Sequence, residues 1–172
     1  MDWNTLIQHS LLAGLIFSIV LTIPIIISLK INPEMWWQDY PKDVQQKWGP
    51  MSELAKKQRG IVAAIYFALI IGGITLATIR LGQLGSWESY FLAVLASTAI
   101  IIMFFNIWDA VIIDWLILLV LWPSLGILPG TEGMAGYHDT RWHVTNFFKG
   151  WIFVAVGSLI TAGIALLLTV LA

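Results

Sequence analysis

Apolar positions in this chain gather into long runs, separated by stretches in which charge and tryptophan mix. Residues 6–29 form the first run, enough to cross a hydrocarbon core of ~30 Å with some tilt. Gln8, His9 and Ser10 near its start are expected at the membrane interface, and Pro24 removes one helical hydrogen bond within it. In the second run, residues 60–79, small residues recur every four positions at Gly60, Ala64, Ala68 and Gly72. Such a stripe lets another helix approach closely. Residues 148–171 make the last run, and Gly157, Thr161, Ala165 and Thr169 give it a second stripe, the expected partner of the first.

The run over residues 90–128 is too long for one straight crossing, about 58 Å at 1.5 Å per residue. Two arrangements fit it. One tilted helix over 89–122 ends at Pro123, or the chain turns near Asn106–Asp109 and Asp109 caps an additional span. Charge separates the two. With four spans, Lys30, Lys42, Lys47, Lys56, Lys57, Arg59, Arg141 and Lys149 share one side and only Arg80 lies opposite. With five, Arg141 and Lys149 cross over and the bias weakens. The positive-inside rule favours four, with both termini outside and the first and third loops cytoplasmic. The expected fold is an all-α integral membrane protein, a single domain over residues 1–172 with spans at 6–29, 60–79, 89–122 and 148–171; five spans is the alternative.

The first loop, residues 30–59, interleaves Trp36, Trp37, Tyr40 and Trp48 with six of the nine Lys and Arg residues, which reads as a segment lying on the membrane surface. Pro41 is placed to open a short helix there, and Gly49-Pro50 to end it. Ser52 and Ser86 are the expected N-caps of the second and third spans. In the third loop, Gly130, Gly133 and Gly136 permit unusual backbone angles.

Composition agrees with the pattern. The chain is 59% hydrophobic, 11% charged, with a mean hydropathy of +0.84. Soluble domains are about a quarter charged, so lipid is the solvent here. A net charge of −1 gives no reason to expect nucleic acid as a partner. With no cysteine, disulfides, thiolate catalysis and Cys-based metal sites are excluded. No cleavable signal is evident, since Asp2 stands where a basic segment would be.

The candidate chemistry lies in the third span and the loop after it. A carboxylate in hydrocarbon costs about 2.5–3.5 kcal/mol on insertion scales, which marks Asp109 and Asp114 as a functional hypothesis. On an α-helix, Asn106, Asp109 and Asp114 fall within an arc of about 140°, facing the bundle. That set suits a cation, a proton or a small polar ligand. Glu132, His138, Asp139 and His143 form a second set, whose carboxylates and imidazoles suit a divalent metal such as Zn, Mn or Fe and metal-assisted hydrolysis. Neither a zincin motif nor a di-iron pair is present, and no Ser-His-Asp order, nucleophile elbow or phosphate loop appears.

Asn106-Ile107-Trp108-Asp109, Asp114-Trp115-Leu116 and Pro129-Gly130-Thr131-Glu132-Gly133 resemble a family of small bacterial membrane proteins with an acidic-Trp helix followed by a Pro-Gly-Thr-Glu-Gly loop. The resemblance covers about the last half of the chain. It implies a bacterial cytoplasmic-membrane setting and carries no activity with it. Three classes of function stay open: a membrane-embedded binding or transport module, a metal-assisted membrane enzyme, and a structural subunit of a larger membrane complex. Transport by so few spans predicts a homo-oligomer.

Overall fold

The computed structural model describes residues 2–85 and 88–171, all of them in helices, turns or irregular connections. Among the described residues, four helices are long and apolar enough to cross a membrane: Trp3–Ile31, Glu53–Gln83, Tyr90–Leu121 and Thr140–Leu171. We call the first α1, the short helix Lys42–Trp48 α2, and Glu53–Gln83 α3. The third span is α4, which is α-helical over Tyr90–Trp108 and continues beyond it; Thr140–Leu171 is α5. This is the architecture of a multi-pass membrane protein.

Local chemistry sets the ends. Asp2 caps α1 by accepting from Asn4 N and Thr5 N. Asn32 closes α1, and its side chain accepts from Glu34 N to open a 3-10 stretch, Pro33–Asp39. Pro41 precedes α2, and Gly49 ends it at φ 91°, as the sequence leads one to expect. Ser52 caps α3. Ser89 caps α4 through Leu92 N; Ser86, the cap expected from sequence, lies outside the described residues. The chain does not reverse at Asn106–Asp109, so four spans hold and the helix stops just before Pro123.

The bundle packs in layers along α1. Leu6, Leu81, Val94 and Ala162 fill the end near the termini. Phe17, Leu21, Ile74 and Ile101 fill the middle, and Ile25, Leu29 and Ile113 the far end. Polar side chains within the spans reach across to neighbours: Ser10 to Ser97 at 2.8 Å, Trp108 Nε1 to Thr22 Oγ1 at 3.1 Å, and His9 Nε2 to the Ala77 carbonyl at 3.0 Å. Without water, such groups must pair within the protein.

The two small-residue stripes do not pair with each other. α5 packs along α4, where Gly157 meets Ile102 and Ala165 is buried with Ala93. α3 leans on α1 through a different face, on which Gly73 admits the Phe17 ring. A Cβ at Gly60 or Gly72 would meet nothing within 4 Å, because the stripe points away from the bundle.

Beyond the far end, the first and third loops join into one cap. Asp43 Oδ2 accepts from Gly136 N at 3.0 Å, and Tyr40 packs edge-on against Tyr137. Val44 and Leu128 are fully buried between them. Glu34, 8% exposed, fastens the first loop to the start of α3. Its carboxylate accepts from Ser52 N (2.6 Å), Ser52 Oγ (2.7 Å) and Trp48 Nε1 (3.2 Å). Burial works to raise this carboxyl, and the donors from Ser52 and Trp48 outweigh it, so its pKa lies below the usual 4.5.

A depressed carboxylate stabilises the fold above its unfolded pKa, and that contribution disappears as pH falls through the lowered folded value. We therefore expect the thermal stability of the detergent-purified protein to drop as pH is taken below 4.5. Glu34→Gln should be less stable at neutral pH and show a flatter profile in that acid window. Parallel profiles for the two proteins would exclude this role.

Candidate functional site

The geometry of the acidic residues begins with a change in helix winding. From Asp109 to Leu121 the backbone follows i→i+5 bonding, closing with Trp122 N donating to the Ile117 carbonyl at 2.7 Å. Such π turns usually occur singly and often mark functional sites. Here the winding persists for 13 residues. More residues per turn bring positions five apart closer to the same face. Asp109 and Asp114, widely separated in angle on an α-helix, therefore lie within Coulombic reach of one another.

Around this pair stand groups from three other segments. His143, on the first turn of α5, brings Nδ1 within 3.8 Å of Asp114 Oδ2. Its Nε2 faces the Tyr137 carbonyl at 3.3 Å, and the Trp142 ring stands edge-on at 4.9 Å. Tyr66 of α3 is within charge range of Asp109. Asp39, at the end of the 3-10 stretch, interacts with both Asp114 and Arg59. The Asp39 side chain is open at the bundle surface while neighbouring helices crowd it. This crowding raises its carboxyl above the usual carboxylate range; the Asp114 charge adds to the effect and Arg59 opposes it. Arg59 is held in place by Gln38 Oε1 at 2.7 Å.

Of the residues singled out from sequence, Asp109, Asp114 and His143 come together. Asn106 does not join them. Its Nδ2 donates to the Phe147 carbonyl at 3.2 Å, so it locks α4 to α5. Gly150 makes room for it, since a Cβ there would overlap the Asn106 amide. Glu132 turns back to accept from Gly130 N at 2.9 Å, and that hydrogen bond holds its carboxyl below the usual range. Asp139 caps α5 by accepting from Arg141 N and Trp142 N. His138 sits exposed in a short 3-10 turn, Ala135–His138. Glu132, His138, Asp139 and His143 thus have separate local roles. Among the described residues, no three His, Asp or Glu side chains are arranged to hold a metal ion.

Asp39, Arg59 and Tyr66 did not stand out in the sequence reading. A usable signal was present: the four-span topology puts Asp39 and Arg59 at the same end of the bundle as Asp114.

The Asn106–Gly150 contact makes a sharp test of the α4–α5 lock. Gly150→Ala should destabilise the protein by about 1–3 kcal/mol, the usual cost of overpacking. Combined with Asn106→Ala, it should cost clearly less than the sum of the two single variants, because the same side chain is involved in both. Additive losses in thermal unfolding would show that the two positions act independently.

The chain was compared with protein-family models, curated proteins and solved structures, and none matches it, so the assignment of function rests on the geometry above.

Proposed function

We propose that this chain is a proton-binding membrane module, in which His143 takes up a proton and pairs as imidazolium with the Asp114 carboxylate, beside Asp109 and Asp39. The supporting observation is the position of His143 between two acceptors, the Tyr137 carbonyl and the Asp114 carboxylate. A neutral imidazole carries one N–H and satisfies only one of them. At 3.8 Å the Asp114 contact is an ion pair, and it becomes favourable when the imidazole carries a second proton and faces a carboxylate. Protonatable groups of this kind at membrane depth are what a proton relay or ion pathway needs.

The neighbours tune that proton. Asp109 and Asp39 both lie in charge range of Asp114, and Arg59 interacts with Asp39. We assign this end of the bundle to the cytoplasm, because eight of the nine Lys and Arg residues lie there. The termini are then extracytoplasmic. Passage across the membrane requires more wall than four spans provide, so conduction implies a homo-oligomer. The outward stripe of Gly60, Ala64, Ala68 and Gly72 offers the surface on which a second copy would pack.

The Trp142 ring against His143 provides a reporter, because an imidazolium quenches an adjacent indole. Protein in lipid nanodiscs should show a fluorescence step as pH is titrated through the neutral range. The step should vanish in His143→Gln, be displaced in Asp114→Asn, and persist in His138→Gln. A wild-type titration reproduced by His143→Gln would overturn the proposal.

A further inference from the structure

A shallow apolar groove runs down the lipid-facing side of α1, lined by Ile19, Thr22, Ile23, Ile26, Ile27 and Trp108. Its isoleucines recur at helical spacing on one face, and Ile19, Ile23 and Ile27 are each about half exposed, at 48%, 55% and 52%. Trp108 forms the side wall. Its indole N–H is tied to Thr22 Oγ1 and its ring stacks on Phe104, so the wall is fixed in place. From Ile19 to Ile27 the helix rises about 12 Å, close to the ~15 Å depth of one leaflet's hydrocarbon.

Continued by one more turn, the same face reaches Lys30, just past the apolar run. Lys30 is exposed and has no hydrogen-bond or ion-pair partner among the described residues. The groove therefore combines an acyl-length apolar floor with an unneutralised cation at its mouth, at headgroup level. We propose that it is a binding site for one anionic phospholipid, with an acyl chain against Ile23 and Trp108 and the phosphate on Lys30. Zwitterionic lipid would fill the floor equally well and gain less at the mouth, because its headgroup carries no net charge. The site is separate from the proton-binding cluster, which lies where α3, α5 and the first loop meet the third span.

The test uses the whole protein in phosphatidylcholine nanodiscs in which about a tenth of the lipid is brominated mid-chain, as phosphatidylglycerol or as phosphatidylcholine. Bromine quenches nearby indoles, and the difference between wild type and Trp108→Phe isolates the quenching of Trp108. We expect that difference to correspond to about fivefold tighter association of the glycerol lipid, the value of one cation at an anionic headgroup. Lys30→Gln should abolish the preference, and Lys30→Arg should retain it. Equal quenching by both lipids would overturn the proposal, leaving a groove filled by bulk lipid. A wild type no more quenched than Trp108→Phe would also overturn it, since a second copy or another helix would then be covering the wall.

Discussion

In hydrocarbon, a polar group finds its partner in the protein or is left without one, and the arrangement of this bundle follows from that constraint. Each helix pair near α1 is tied by a group that would be costly alone: Ser10 to Ser97, His9 to the Ala77 carbonyl, Trp108 to Thr22. These ties fix the rotation of the helices about their axes, which apolar packing alone specifies weakly between chains of similar shape. Asn106 does the same for α4 and α5, through a gap that only glycine leaves. Once these rotations are set, Asp109 and Asp114 are placed beside α3, α5 and the loop cap, and their environment is decided.

The site then assembles from parts far apart in the chain. Asp114 comes from the third span, His143 from the start of the fourth, and Asp39 from a loop after the first. They meet because the two loops form a common cap, pinned where Asp43 accepts from Gly136 and where Tyr40 packs on Tyr137. Glu34 in turn anchors that cap to α3, whose first turns carry Arg59. Electrostatics at Asp39 and the position of His143 therefore both depend on a small apolar core outside the main bundle.

Much of the fold was legible in the sequence, because spans, caps and breakers act over a few residues. Ser52 and Gly49 behave as their side chains and backbone freedom dictate, and Pro123 follows directly on the end of the third span. Charge bias chose correctly between four and five spans. What the sequence did not reveal depends on distant or non-standard geometry. The small-residue stripes were paired on similarity, whereas α3 approaches α1 through Gly73 and Phe17. Asn106 was grouped with the aspartates because an ideal α-helix puts them on one face. The partner it actually takes, the Phe147 carbonyl, depends on Gly150 in another helix. The loop residues Glu132 and Asp139 look like metal ligands by type and spacing, whereas each turns one carboxylate oxygen to backbone N–H groups two or three residues away.

The winding of Asp109–Leu121 has a mechanical consequence. A π turn is rare because it is a less favourable way to coil a chain than the α turn beside it. The two forms differ only in which carbonyl each amide selects, so a span containing both has an internal boundary whose position is set by a narrow energy difference. Moving that boundary by one residue would rotate everything beyond it relative to Trp108 while leaving the ends of the helix paired. The acids thus sit on the segment of the membrane span with the softest torsional response, and amide exchange should be fastest there among the buried stretches of α4.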